Sequence, residues 1–140
     1  MRDMGTPHQR MQELCDCYAE TNYLKEMALL SGDADKEEAA LKWLALAVLH
    51  GVDRNAREIS LERTSDGSIK AEAQYRDTDL PAPARDIGAK VIDAMRRMTH
   101  IEGAKGEIPL AVGIRDSSIE IQVKIREKDG TEKITLKFGN

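Results

Sequence analysis

The apolar residues of this 140-residue chain switch from a spacing of three and four to a spacing of two near Asn55, and that switch constrains the fold more than any other feature. From Pro7 to Leu30, Met11, Leu14, Cys15, Tyr18, Met27 and Leu30 recur at helical spacing, so one amphipathic helix is predicted there. Ser31-Gly32-Asp33 stops it. Asp33 or Asp35 caps a second helix, Glu37 and Glu38 suit the positive end of its dipole, and Ala39 to His50 is nearly all apolar. Leu41, Trp43, Leu44, Ala47 and Val48 cover most of its circumference, which predicts the most buried helix. After Gly51, Ile59 and Leu61 alternate with polar residues, Asp66-Gly67 supplies a turn, and Ile69, Ala71, Ala73 and Tyr75 alternate again. Pro81 and Pro83 interrupt the pattern. A third helix then carries Ile87, Val91, Ile92, Met95 and Met98 on one stripe, with Arg96 and Arg97 near its end. Three further strands are predicted around Leu110–Ile114, Ile119–Ile125 and Ile134–Phe138, with turns at Asp116-Ser117-Ser118 and Lys128-Asp129-Gly130-Thr131.

The predicted order is therefore α-α-β-β-α-β-β-β. No strand-helix-strand alternation is sustained enough for a doubly wound parallel sheet, so the chain belongs to the α+β class. Each strand has one apolar and one polar face, which predicts a mostly antiparallel five-stranded sheet with helices on one side only. A single domain over 1–140 is expected, with 1–32 as a helical arm and 33–140 as the core. A chain of this length hides roughly two-thirds of its unfolded surface and needs no covalent staples. No run of about 18 apolar residues occurs, and Met1 to Pro7 lacks an apolar stretch of signal-peptide type, so no membrane insertion and a cytoplasmic location are expected. Cys15 and Cys17 are too close for a comfortable helical disulfide and are read as free thiols.

The formal charge of −4 argues against charge-driven binding to nucleic acid, and aromatics at 4% leave little for base stacking. A phosphate-cradling Gly-x-x-x-x-Gly-Lys-Ser/Thr loop is absent; Gly103-Ala104-Lys105-Gly106 lacks both its spacing and its hydroxyl. His8, His50 and His100 are scattered, and Cys15-Asp16-Cys17 offers only two candidate ligands, so no metal site, cofactor or catalytic residue is assigned. A thiol enzyme using Cys15 or Cys17 is the weakest reading, because Cys15 lies on the apolar stripe. The polar sheet face carries Lys124, Arg126, Lys133 and Lys137 at outward positions and no aromatic residue, which disfavours RNA and favours a protein partner. Its bland reading is a solvated face with cross-strand ion pairs.

Several runs carry a family resemblance: Leu44 to Val52, Arg57 to Glu62, Gln74 to Leu80, Val91 to Met98, Ile101 to Ile108 and Gly130 to Phe138. In this order they resemble the second N-terminal domain of the bacterial type II secretion and type IV pilus assembly ATPases, the domain preceding the motor. The likeness covers about two-thirds of the chain in element order, from Trp43 to Phe138. It implies a secretion or pilus assembly component as partner. Two departures matter: the loop arginines that reach toward nucleotide in that family become Gly103, Ala104 and Lys105, and its strand arginine becomes Gln122. Without guanidinium forks the bidentate phosphate clamp is missing, so nucleotide sensing is expected to be lost. The chain ends where the motor would begin, and the motor is expected to be absent.

The leading expectation is a non-catalytic protein-interaction or regulatory module. The alternative is a small-ligand or nucleotide sensor using the Gly103–Glu107 loop, with Arg96, Arg97, Gly103, Lys105 and Gly106 as binding residues. The first helix, whose apolar spacing weakens around Glu20 to Lys25, is read as a detachable arm or as the contact of a homodimer.

Overall fold

The computed structural model describes residues 6–74, 78–114 and 117–138. Helix α1 (Pro7–Tyr18) begins with a capping box: the Thr6 hydroxyl accepts from the Gln9 N–H and the Gln9 side chain accepts from the Thr6 N–H, both at 3.0 Å. The single helix predicted from Pro7 to Leu30 is in fact two. Asn22 accepts from the Lys25 N–H at 3.1 Å and starts a new helix, α2 (Tyr23–Leu29), followed by a 3-10 turn at Leu30–Gly32. The break falls where the apolar spacing lapses and a short amide side chain competes for the backbone. Of the two candidate caps for α3 (Lys36–Asp53), Asp35 serves, accepting from the Glu38 N–H at 3.1 Å. Helix α4 (Arg85–Thr99) ends on His100 in the left-handed region, at φ 59°.

The strands are β1 (Glu58–Arg63), β2 (Ile69–Ala73), β3 (Thr78–Asp79), β4 (Lys105–Ile114), β5 (Ser117–Lys128) and β6 (Thr131–Phe138). All pair antiparallel in the order β3-β2-β1-β6-β5-β4, so the five expected strands are joined by a two-residue edge strand. Asp129 and Gly130, at φ 53° and 81°, make the tight β5–β6 turn. In the β1–β2 turn Gly67 adopts φ 89°, and Asp66 accepts from the Ser68 N–H and the Thr64 hydroxyl. Those donors favour the carboxylate and pull the Asp66 carboxyl down to about 2. Tyr75 and Arg76, expected in the second strand, and the turn residue Asp116 lie outside the described residues.

Alternation places Ile59, Leu61, Ile121, Val123, Ile125, Ile134 and Leu136 on the inner face, all buried beneath the helices. α3 is buried almost all round, as its composition predicts, and the Trp43 indole donates to the Pro81 carbonyl at 3.2 Å. Close approach needs glycine at two points: a Cβ on Gly51 would lie 2.4 Å from the Phe138 ring, and one on Gly88 would lie 2.5 Å from Ile69.

Residues 6–30 pack as part of the same core, since Met11, Leu14, Cys15, Tyr23, Met27 and Leu30 are all buried in it. Helix α1 also covers part of the β4 edge. Gln12 accepts from the Gly113 N–H at 2.6 Å, and the His8 ring lies 2.6 Å from the Ala111 carbonyl. Ala104, in the opposite phase, gives its carbonyl to the Glu127 N–H, so the odd-numbered residues of β4 face the free edge. Pro109 is one of them and has no N–H to expose there. At the other edge, β3 is only two residues long. Both edges are thereby blunted against strand addition.

Candidate functional site

Among the described residues no helix covers the outer face of the sheet, and its charge pattern follows from the register. Lys105 on β4, Arg126 on β5 and Lys133 on β6 are directly opposite one another, so three cations form a row across three strands. Neighbouring strands lie about 4.8 Å apart, which makes the row about 10 Å long. Two residue pairs further along, Lys124 stands between Glu107 and Thr135; beyond it, Gln122 stands beside Lys137, which in turn faces Glu58. Lys105, Arg126 and Lys133 are exposed, while Lys124 and Lys137 are half-buried. Lys137 is 3.6 Å from the Glu107 carboxylate. The other four cations form no ion pair among the described residues. Glu58, Lys124, Arg126, Lys133, Thr135 and Lys137 line a shallow depression of about 180 Å³ on this face.

The arrangement is costly to the sheet. Like charges directly opposite across strands are destabilising, by up to about 1 kcal/mol per pair, and here Arg126 has a cation on each side. Acidic residues ring the cluster, and among the described residues only Lys137 is paired with one of them, Glu107. Glu62 faces Lys133 from β1 and Glu107 adjoins Lys124 from β4, yet neither makes an ion pair with that neighbour.

Of the five residues expected around a Gly103–Glu107 loop, Arg96 meets Gly103, while Arg97 reaches Glu37 and Lys105 lies on β4. The loop is shorter than predicted: from Lys105 onward the chain is already strand, and Lys105 belongs to the outer face. Gly106 lies within β4, where a Cβ would come 2.9 Å from Ile101, so this glycine serves packing between the strand and the α4–β4 connection. Arg96 is engaged internally. Its guanidinium donates to the carbonyls of Gly103 at 2.9 Å and Ile101 at 3.1 Å, and to the Glu132 carboxylate at 3.2 and 3.3 Å. Glu132 and Glu127 stand opposite each other on β6 and β5, and Arg63 pairs with Glu132 at 2.9 Å, so the arginines hold this carboxylate pair beneath the end of α4. Arg97 is more than half exposed and reaches Glu37 of α3 at 3.9 Å.

Cys15 is buried in the core, where burial, with Asp16 nearby, raises its thiol to about 12. Cys17 is exposed, and both are free thiols. His50 is buried at the end of α3 beside a 490 Å³ cavity that Tyr23, Asp53 and Arg54 also line. Burial is the main cause of its lowered pKa, reinforced by Arg54 and opposed by Asp53. Among the described residues no three His, Cys, Asp or Glu side chains are grouped as metal ligands, and no helix is long and apolar enough to cross a membrane.

Sequence reasoning placed Lys124, Arg126, Lys133 and Lys137 on one face, and the register brings them together. It missed Lys105 as their neighbour. The available signal was the alternation of Lys105, Glu107 and Pro109 with Gly106, Ile108 and Leu110, which extends the strand back through the glycines. The sequence matches no protein-family model, and no curated protein matches it.

Proposed function

We propose that this chain is a non-catalytic protein-interaction or regulatory module that docks through the outer face of its sheet. The supporting observation is the assembly of Lys105, Lys124, Arg126, Lys133 and Lys137 on the face no helix covers, with four of the five unpaired among the described residues. A sheet face built only for solubility interleaves opposite charges, since those pairs add stability and like pairs subtract it. Here Glu107, Glu62 and Glu58 do face cations, but Arg126 has a like charge directly opposite on both sides. A surface that gives up stability in this way fits a site whose charges are satisfied by something bound.

The resemblance to the pre-motor domain of secretion and pilus ATPases supplies the setting: a cytoplasmic partner or regulator of such an assembly machine. Nucleotide sensing is not part of the reading. Gly103, Ala104, Lys105 and Gln122 stand where that family carries guanidinium groups, and Arg96 is already bonded to Glu132 and two carbonyls.

The test pairs a pull-down against secretion and pilus assembly components with deletion of the chain. Capture of such a component, lost when Gln122→Trp places an indole on the face, together with a defect in export or motility, is the expected result. Recovery of none of them, with export and motility unchanged on deletion, refutes the proposal.

A further inference from the structure

The outer face is specific about the charge it can accept, and from this we infer that its occupant is a short acidic segment of a partner protein, carrying two to four carboxylates gathered within about 10 Å, with Arg126 as the central contact. The inference rests on the docking reading above and names the partner's chemistry.

Three properties of the face lead to it. The cations are clustered, not spread: Lys105, Arg126 and Lys133 span only three adjacent strands, about 10 Å at the strand spacing. They are also bounded. Glu62 closes the row at β1, and Glu58 and Glu107 stand beside Lys137 and Lys124, so a polyanion longer than the row would run onto carboxylates. Nucleic acid, with regularly repeated phosphates, meets these carboxylates when it runs toward β1 or along the strands toward Glu58 and Glu107, and the outer positions of the described strands carry no aromatic ring on which a base could stack. A second copy of the chain docked face to face is disfavoured for the same physical reason, because it sets this cluster against itself.

Within the cluster Arg126 is unlike its neighbours. It is flanked by a cation on each side, it is exposed, and it is the one guanidinium among four ammonium groups. A guanidinium can take a carboxylate through two parallel hydrogen bonds, which fixes orientation as well as charge. A carboxylate there also relieves both repulsions at once. Lys105, Lys124 and Lys133 then supply the surrounding field that speeds encounter.

The experiment measures fluorescence anisotropy of a labelled peptide with four closely spaced glutamates, titrated with the full chain at low and at physiological salt. A lysine-substituted version of the same peptide, a thymidine oligonucleotide and inorganic pyrophosphate are run beside it. The acidic peptide is expected to bind, with affinity falling as salt rises. Arg126→Glu and Lys133→Glu should each weaken it by about tenfold, while Lys25→Glu on the exposed face of α2 leaves it unchanged. Circular dichroism of each variant confirms that it is folded. Peptide binding that ignores both reversals overturns the inference, as does tighter binding of the oligonucleotide or of pyrophosphate. Partner capture provides the separation: capture lost in Gln122→Trp but kept in Arg126→Glu overturns the acidic occupant alone, whereas capture kept in both overturns the docking reading as well.

Discussion

Reversing one charge on the outer face should make the domain more stable. Arg126 is directly opposite Lys105 on one side and Lys133 on the other, so Arg126→Glu removes two cross-strand repulsions and creates two attractions. Each such increment is worth about 0.2–1 kcal/mol. Because all three side chains are exposed, solvent screening holds each near the low end, and the four together come to about 1 kcal/mol. Urea unfolding followed by circular dichroism reads this directly: with a slope of about 1–3 kcal/mol/M, the midpoint should rise by about 0.5 M without a change of slope. The neutral Arg126→Gln should recover about half the gain. Raising the salt to about 1 M shortens the screening length to about 3 Å and should remove most of it. A loss of stability in Arg126→Glu, or a gain that salt does not reduce, refutes the claim that the row is in mutual repulsion.

Three further outcomes follow from the geometry. Arg96→Ala leaves Glu127 and Glu132 facing each other and strips two carbonyls of their donor, so unfolding studies should register a loss of about 2–3 kcal/mol; Arg96→Lys should restore little, since an ammonium cannot fork between carbonyls and carboxylate. Thiol labelling of the native protein should modify Cys17 quickly and Cys15 only as the core opens, and rapid modification of both would contradict the burial of α1. The lowered pKa of His50 means the unfolded chain binds the extra proton more readily, so this group's contribution to stability is complete above about pH 6.5 and declines as pH falls toward the folded value. A pH series of unfolding midpoints should show that decline, flattened in His50→Gln.

The inner architecture was legible because burial writes itself into spacing. Ile59, Leu61, Ile134 and Leu136 alternate with polar residues, and such a pattern can bury one side only as strand. The same alternation put Lys124 and Arg126 on one face, but adjacency between strands depends on register, which no single strand encodes. Lys105 illustrates the limit. The glycines on either side of it suggest a loop, yet Gly106 is there because Ile101 needs the space above the strand. Arg96 shows a second limit: as a cation near a helix end it satisfies a local rule, while its carboxylate partner Glu132 lies thirty-six residues further along. The break at Asn22 was visible only as weakened spacing, because a cap replaces one helix by two without altering which residues are apolar.

The cover that α1 lays on β4 joins parts of the chain that are made far apart in time. His8 meets Ala111 across 103 positions, and Gln12 meets Gly113 across 101. α1 packs chiefly on α3, where Cys15 lies against the Ala45 carbonyl, so only its His8 and Gln12 contacts wait for the β4–β5 hairpin. Closing so long a loop is entropically slow, which makes the covering of the β4 edge by α1, not its packing on α3, the late event. Until then the unfinished chain exposes an uncovered strand edge, so its demand for chaperones should be concentrated in the interval between the appearance of Gly113 and the return of Gln12.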